Sequence, residues 1–331
     1  MIPEDKRNLV ENALQTTFGT TEINDIHQLT AGLSTALVYR IAVQGKPYLL
    51  RIITRTDAMA DPTLEYNCMQ AAADAGIAPR VWYTSIADRI AITDFIDARP
   101  FPLEEAKIKL PELFKRLHAL PPFPFRINYL DTMEGFIQKF QAAKLMPVHL
   151  MSEMLGAYTR IKAVYPRSDS DMVACHNDLK PENTLYDGER VWLVDWEAAF
   201  LNDRYLDLAI AANFAVRSEA DETDYLKTYF GEDATAYRRA RFFLMRQILH
   251  LFYFVVFVLM SKGAEGLIDF EKPVPLFRDF NDDIWAGKIS LHDMDARLQY
   301  ALVHRQQFLE NIKLKRFEEA LRVVSSSCGK E

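Results

Sequence analysis

The sequence has few cysteines, glycines and prolines, and it has no excess of basic residues. Its 331 residues include 12 glycines and 15 prolines, and 39 lysines and arginines face 46 aspartates and glutamates. Sparse glycine and proline exclude a collagen-like or low-complexity chain. Three cysteines, Cys68, Cys175 and Cys328, are too scattered for a disulfide framework or a zinc site, so we expect reduced thiols. A net charge of −7 argues against general nucleic-acid binding, so no nucleic-acid partner is expected.

The chain also lacks a long hydrophobic run. The first residues, MIPEDKRNLVEN, contain no apolar stretch of the kind that marks a secretory signal. The most apolar run, residues 248–260, includes a histidine and has 13 residues. A membrane-spanning helix needs about 20 residues. We therefore predict a buried helix at this run, a cytoplasmic protein and no membrane partner.

Apolar and aromatic residues are plentiful, at 49% and 12% of the chain, which is enough for a sizeable core. The pattern changes near residue 98. Before it, short alternating segments predict strands around one helix, and after it the pattern is mostly helical. We predict an α+β fold with a β-rich N-lobe, residues 1–97, and a helical C-lobe, residues 98–331.

The predicted elements follow from hydrophobic spacing, turn residues and helix ends. In the N-lobe they are a helix over 1–18, two strands within 26–43, a strand over 48–53, a helix over 62–75, and strands over 80–85 and 89–96. In the C-lobe they are helices near 105–119, 131–145, 149–164, 204–216, 221–229, 234–261 and 291–321. Two short strands, 173–175 and 191–196, interrupt these helices.

One motif in the C-lobe carries chemistry. It is His176-x-Asp178-x4-Asn183, followed twelve residues later by Asp195 at the end of an apolar strand. Phosphoryl transfer needs a carboxylate that orients the acceptor hydroxyl and takes its proton. It also needs oxygen ligands that hold Mg²⁺ against the phosphates, and an amide and a carboxylate supply these. The order and spacing of these residues predict a kinase-like phosphotransferase.

The segments HNDLKPEN, LVDWEAA and NDRYLDLA resemble the choline/ethanolamine kinase and aminoglycoside phosphotransferase superfamily. Further similar segments are LTAGLSTALVYRI (29–41), YLLRI (48–52), EYNCMQAAADAGIAPRV (65–81), ITDFIDARP (92–100) and LFKRLHALPP (113–122). The resemblance covers most of residues 26–216. It implies a protein-kinase-like fold with two lobes and a hinge between them.

The resemblance also implies roles for the motif. Asp178 would be the base that orients the acceptor hydroxyl, and Asn183 and Asp195 would hold Mg²⁺. His176 would brace the loop by hydrogen bonds. Lys180 either reaches the transferred phosphate or is a solvated loop residue.

Asp207, in RYLDLA, would either stabilise the catalytic loop or cap the helix in which it lies.

On the nucleotide side the resemblance implies ATP as the phosphate donor. The implied ATP-binding residues are Gly32, Leu33, Ser34, Thr35, Arg51, Glu65, Thr93 and Phe95. Protein kinases have lysine where this chain has Arg51, and arginine there favours the choline kinase branch. Glu65 would be the ion-pair partner of Arg51, and the alternative is an ordinary surface salt bridge.

The acceptor is predicted to be a small-molecule alcohol. Only twelve residues separate Asp195 from Asp207, so the activation segment that positions a peptide in protein kinases is missing. Glu197 and Tyr253 would contact the acceptor, although Ala198 replaces a tyrosine of the choline kinase pattern. A choline- or ethanolamine-type alcohol is the first choice. The alternatives are an aminoglycoside or another hydroxylated metabolite, and, in another class, a non-catalytic nucleotide-binding protein.

Overall fold

A five-stranded antiparallel sheet forms most of the amino-terminal part of the chain. The computed structural model describes residues 2–29, 36–55, 57, 60–167, 169–261 and 268–327. The strands are β1 (Asp25–Leu29), β2 (Leu37–Val43), β3 (Lys46–Ile52), β4 (Val81–Ser85) and β5 (Ile90–Asp94). Their order in the sheet is β1-β2-β3-β5-β4. Two helices accompany them, α1 (Glu4–Phe18) and α2 (Thr63–Asp74).

The sheet follows from alternating side chains and a tight turn. In β2, Tyr39, Ile41 and Val43 are buried while the residues between them are partly exposed, which is the period of a half-buried strand. The hairpin to β3 turns at Gln44-Gly45, where both residues have positive φ, 51° and 76°. Two such residues in succession match the twist of the flanking strands. The buried face packs against α1.

The rest of the chain is mainly helical. Its helices are α3 (Leu103–Leu117), α4 (Tyr129–Ala143), α5 (Val148–Val164), α6 (Arg204–Ala215), α7 (Glu219–Phe230), α8 (Ala236–Met260), α9 (Phe277–Trp285), α10 (Met294–Asn311) and α11 (Lys315–Ser327). In the part of the chain that the structure describes, α8 alone is long and apolar enough to span a membrane. Of its most apolar window, 67% is buried inside the fold. Helices α4, α5, α6, α10 and α11 pack around it, so α8 forms the centre of the helical core.

Two small hairpin-like sheets lie among these helices. Strand β6 (Met172–Cys175) pairs with β9 (Phe200–Asp203), and β7 (Thr184–Tyr186) pairs with β8 (Val191–Leu193). The sequence predicted β6 and a strand over 191–196, but it did not predict β9. The second strand is shorter than predicted because the backbone at Asp195 is left-handed.

The segment predicted as one helix over 291–321 is two helices. Asp293 caps α10 by accepting hydrogen bonds from the N–H groups of Asp295 and Ala296, so the helix begins at Met294. The three residues between α10 and α11 form a turn in which N–H groups donate to the carbonyl oxygen three residues earlier, as in a 3₁₀ helix. This turn lets the apolar face of α11 pack on α8. Helix α9 was not predicted.

Candidate active site

The loop between β6 and β7 is anchored from below by Asp207. The N–H groups of His176 and Asn177 donate hydrogen bonds to the two carboxylate oxygens of Asp207, at 2.9 and 2.8 Å. Asp207 is fully buried. The cap of α6 is instead Asp203, which accepts a hydrogen bond from the N–H of Tyr205. The capping alternative for Asp207 is therefore wrong, and its carboxylate holds the loop.

His176 is buried and hydrogen-bonds on both sides of its ring. Its Nε2 lies 2.9 Å from the carbonyl oxygen of Val194, and its Nδ1 lies 3.3 Å from the N–H of Asp178. A carbonyl only accepts and a backbone N–H only donates, so Nε2 carries the proton and Nδ1 accepts. The ring therefore ties the Asp178 backbone to the segment that carries Asp195.

Asp178 lies at the tip of the loop with two side-chain partners. Its Oδ2 accepts hydrogen bonds from the Nζ of Lys180 at 3.0 Å and from the Nδ2 of Asn183 at 2.8 Å. Burial lowers the pKa of Lys180, but the Asp178 carboxylate outweighs this and the net shift is upward. Lys180 is thus an ion-pair partner of Asp178 and not a solvated loop residue. Because the amide nitrogen of Asn183 faces Asp178, its oxygen points away from that carboxylate.

Asp195 meets this loop from the end of β8. The N–H of Val194 donates to the carbonyl oxygen of Asn183 at 3.0 Å, so the two segments are joined. The backbone of Asp195 is left-handed, with φ 66°, which is uncommon outside glycine. One Asp195 carboxylate oxygen accepts a hydrogen bond from the Nη1 of Arg51 at 2.9 Å.

Arg51 connects the amino-terminal sheet to this site. It lies on β3, and its Nε is 3.4 Å from Glu65 on α2 while its Nη2 is 3.5 Å from Glu197. The side chains of Arg51 and Glu65 are only 12% and 9% exposed, so the predicted ion pair is internal rather than on the surface. Burial raises the pKa of Glu65 to about 7, although Arg51 opposes this shift. Arg51 thus favours the charged form of Glu65 against the effect of burial.

The other predicted nucleotide-binding residues fall into two groups. Gly32, Leu33, Ser34 and Thr35 lie outside the residues that the structure describes. Thr93 lies on β5, is buried, and its hydroxyl donates to the carbonyl oxygen of Asp94 at 3.2 Å. The ring of Phe95 lies 5.4 Å below the guanidinium of Arg40.

Tyr253 faces the catalytic loop from α8. Burial raises the pKa of Tyr253, and the Asp178 carboxylate adds to that rise. The phenol therefore lies within electrostatic range of Asp178. Its ring stacks on Phe257 at 6.0 Å and lies 4.7 and 5.5 Å from the rings of His304 and Tyr300. Tyr253 therefore belongs to an aromatic cluster that lies beside the proposed site.

Three residues of this region were missed in the sequence. Glu182 adds to the upward pKa shift of Tyr300, whose first cause is burial, so this carboxylate lies within electrostatic range of the aromatic cluster. Asn177 has φ 65° and donates to the carbonyl oxygen of Ala198, while the amide of buried Asn202 donates to Asn177 at 2.9 Å. Asparagine tolerates left-handed backbone, so Asn177 beside the motif was the signal that could have found this brace.

A buried group behind the loop has the composition of a metal site but the bonding of a hydrogen-bond network. Ligand atoms of His118, Cys175 and Asp207 lie within 4.8 Å of one another. Asp207 already accepts two backbone hydrogen bonds. Burial keeps the pKa of the Cys175 thiol well above its ordinary value, and the thiol donates to the carbonyl oxygen of Asn202 at 3.4 Å. Metal binding needs a thiolate, so we assign this group a structural role.

The residues around Asp178 and Asp195 carry an excess of negative charge. The carboxylates are Asp178, Glu182, Asp195 and Glu197, and the cations are Lys180 and Arg51. Burial raises the pKa of Glu197, and Asp195 adds to the rise. Carboxylate and amide oxygens are the ligands that Mg²⁺ prefers. The donor set of Asn183 and Asp195 therefore fits Mg²⁺.

Comparison with known proteins supports this chemistry. A family model described as the phosphotransferase enzyme family matches residues 25–243. Protein LicA of Haemophilus influenzae is 33% identical over 158 residues, and the match spans 45% of this chain and 45% of that relative, less than half of its length.

Solved structures share the fold. A choline/ethanolamine kinase family protein from Mesorhizobium loti superposes with a TM-score of 0.69 and 21% identity, over 98% of this chain and 100% of that chain. A ternary complex of streptomycin, ATP and the enzyme APH(2")-IIa superposes with a TM-score of 0.55 and 15% identity, over 80% and 96% of the two chains. The predicted α+β, kinase-like fold with a β-rich part and a helical part is thereby confirmed.

Proposed function

The chain belongs to the phosphotransferase enzyme family, and on that premise we propose that it is an ATP-dependent kinase of a small-molecule alcohol. The observation that carries the proposal is the meeting of Asp178, Asn183 and Asp195 at one edge of the helical part. Asp207 accepts hydrogen bonds from the loop backbone, and the His176 ring bonds to the carbonyl oxygen of Val194, so this edge is held in place. These are the residue types that phosphoryl transfer requires.

In the proposed reaction Asp178 accepts the proton of the acceptor hydroxyl. The acceptor oxygen forms a bond to the γ-phosphorus of ATP, the bond from that phosphorus to the β–γ bridging oxygen breaks, and ADP leaves. Lys180, 3.0 Å from Asp178, holds this carboxylate in place and brings positive charge to the transferred phosphate.

Mg²⁺ is proposed to be held by the amide oxygen of Asn183 and the carboxylate of Asp195. When bound, it would offset the charge of the phosphates during transfer. Arg51 hydrogen-bonds to Asp195 at 2.9 Å and would supply a second positive charge beside the nucleotide.

ATP is proposed to bind between the amino-terminal sheet and this edge. Thr93 lies at the end of β5 (Ile90–Asp94) and Phe95 follows it, where the chain leaves the sheet for the helical part, and we propose that the hinge lies there. The APH(2")-IIa relative was solved with ATP, which supports ATP as the donor.

The acceptor is proposed to be cationic, with a choline- or ethanolamine-type alcohol as the first candidate. Asp178 adds to the upward pKa shifts of Glu197 and Tyr253, whose first cause is burial, and the Asp178 and Glu182 carboxylates both act on Lys180. Negative charge and an aromatic face attract an ammonium group. An aminoglycoside is the second candidate, because it is also a cationic alcohol and the APH(2")-IIa relative was solved with streptomycin.

We also propose a cytoplasmic location. Two cysteines, Cys68 and Cys175, are buried free thiols, as is usual in a reducing compartment.

The test is ADP release with Mg·ATP across choline, ethanolamine, several aminoglycosides and simple sugars. Asp178→Ala serves as the blank, and Glu189→Ala, at an exposed carboxylate of the β7–β8 turn, is the matched control. We expect turnover of choline or ethanolamine that Asp178→Ala loses and Glu189→Ala keeps. Turnover with aminoglycosides or sugars alone would replace the acceptor. ATP binding without ADP release on any acceptor would favour a non-catalytic nucleotide-binding protein.

A further inference from the structure

A second cavity, of about 600 Å³, lies in the helical part and shares no residue with the candidate active site. Its walls come from the starts of α7, α9 and α11, the middle of α8 and the end of α10. Cavities of this volume hold small metabolites in many proteins. The proposed phosphoryl transfer makes no use of it.

The cavity is cationic although the chain is acidic. The cationic residues of its lining are Arg217, Arg246, Arg278, Lys315 and Arg316, and the anionic ones are Glu219 and Glu222. Five cations thus face two anions, in a protein whose net charge is −7. The lining therefore has a local excess of positive charge.

Nearby carboxylates neutralise only part of this charge. Arg217 pairs with Asp282 at 2.6 Å, and Arg316 pairs with one oxygen of Glu222. The other Glu222 oxygen is 3.8 Å from the Nη1 of Arg246. The buried Nε of Arg246 has no hydrogen-bond partner within the described ranges. Arg246 therefore shares a carboxylate with Arg316 and keeps unused donor capacity.

Arg278 is a further cation of the lining, and its hydrogen bonds go to backbone carbonyl groups. Its guanidinium donates to the carbonyl oxygens of Phe214, at 3.1 Å, and Val216, at the end of α6. No carboxylate lies within ion-pair distance of it among the residues described. Burial and the charge of Arg246 together lower the pKa of Arg278 to about 10. The two guanidinium groups repel each other, and an anion between them would remove that repulsion.

The starts of three helices, α7, α9 and α11, also lie at the cavity. The residue before α9 is Leu276, whose side chain cannot accept a hydrogen bond from the first N–H groups of that helix. A helix start carries partial positive charge and N–H donors that favour an anion. At α7 the capping box of Ser218 and Asp221 already satisfies these donors, whereas α9 has no side-chain cap.

We propose that this cavity binds a small phosphate-bearing anion. Guanidinium groups match phosphate oxygens in pairs of hydrogen bonds, and Arg246 and Arg278 line one cavity with Lys315 at its exposed margin. The volume exceeds that of one phosphate ion, which favours a phosphate ester of a small metabolite over free phosphate. The bound anion would add to the counter-charge of Glu219, Glu222 and Asp282.

The test is calorimetric titration in magnesium-free buffer at constant ionic strength, with inorganic phosphate and glycerol 3-phosphate as probes. We expect Arg246→Gln to weaken binding about tenfold, because it removes charge-assisted hydrogen bonds. Lys315→Gln, at an exposed position that the fold does not need, is expected to weaken it less. Arg322→Gln removes the same charge from an exposed site on α11 outside the cavity, and it should leave binding unchanged.

Arg51→Gln separates this cavity from the active site, and phosphate binding should survive it. Equal affinity in wild type, Arg246→Gln and Lys315→Gln would overturn the proposal, as would loss of binding in Arg51→Gln alone. Thermal melting of each variant without phosphate checks that it is folded. Tighter binding of glycerol 3-phosphate would identify an ester as the natural class, and binding of phosphate alone would identify free phosphate.

Discussion

Asp195 shows how a single residue combines a backbone cost with a chemical use. Its left-handed backbone costs of order 1 kcal/mol for a residue with a Cβ, whereas a glycine would adopt it freely. Its carboxylate accepts a hydrogen bond from Arg51 and lies beside the loop of Asn183. Glycine would relieve the strain but would remove the proposed metal ligand.

Asp195→Asn tests the charge of this side chain without disturbing its backbone, because asparagine also tolerates the left-handed region. We expect ADP release to fall about a thousandfold or more, since the carboxylate proposed for Mg²⁺ is weakened. Turnover is measured over a range of Mg²⁺ concentrations, with thermal melting as the control for folding. Near-normal turnover would rule out the metal assignment.

Glu197 is the residue at which acceptor and nucleotide can be told apart. Its side chain is 51% exposed and only 3.5 Å from Arg51. We expect Glu197→Gln to raise the KM of a cationic acceptor about fivefold, as for a partly exposed ion pair, and to change the KM of ATP less. Steady-state kinetics with each substrate varied gives both values, and Glu189→Gln is the matched surface control. Equal effects on both substrates would mean that Glu197 has a structural role.

At the scale of elements, α6 positions the catalytic loop through one buried carboxylate, that of Asp207. Asp207, in the first turn of α6, accepts hydrogen bonds from two successive backbone N–H groups of the loop and lies 3.2 Å from the Nε2 of His118. A loop would otherwise be the most mobile part of the site. The helix therefore transfers its rigidity to the residues around Asp178.

Asp207→Asn should loosen this connection. The neutral amide has one acceptor oxygen, so one of the two loop N–H groups loses its acceptor and the other keeps only an uncharged one. We expect a loss of about 2 kcal/mol in the free energy of unfolding. The turnover number should fall as well, because Asp178 is less firmly placed. Urea denaturation and kcat are measured beside Asp224→Asn, an exposed carboxylate of α7. Unchanged stability would show that the loop is held by other contacts.

At the scale of the whole molecule, α8 links the two sides of the helical core. It carries Arg246 at the cationic cavity and Tyr253 at the active site. Between them lies His250, whose Nδ1 is 2.8 Å from the Nδ1 of His304 on α10. Burial holds the pKa of both histidines well below the ordinary range, and Arg246 adds to the effect.

This pair predicts loss of stability in acid. In the folded protein both rings stay neutral, while in the unfolded chain each takes up a proton below about pH 6.5. The pair therefore makes its full contribution to stability above that pH. As the pH drops further, the free energy of unfolding falls by up to about 1.4 kcal/mol per pH unit for each histidine. Urea denaturation at pH 5, 6, 7 and 8 measures the slope.

His304→Gln should flatten that slope, whereas His149→Gln, which alters an exposed histidine, should not. Equal slopes in wild type and His304→Gln would contradict the interpretation of the pair.

The sequence by itself determined the features that depend on neighbouring residues. The meeting of Asn183 and Asp195 was readable because one short hairpin, β7–β8, lies between them, and a hairpin brings its ends together whatever surrounds it. Asp178 is only five residues before Asn183. The alternation in β2 likewise predicted its buried face. The predicted single helix over 291–321 failed because its break serves the packing of α11 on α8, and its local pattern is helical on both sides.

Only the tertiary structure decided which distant residues meet. Arg51 and Asp195 are 144 residues apart in the chain, and no spacing rule connects a β-strand arginine to that carboxylate rather than to another. The contacts of Tyr253, which lies among several aromatic residues, were likewise not predictable from spacing. The same holds for the arginines of the cationic cavity. Such contacts result from the packing of whole elements, which sums many weak interactions over the entire chain. Local patterns predict the elements, but this sum selects the faces that come together.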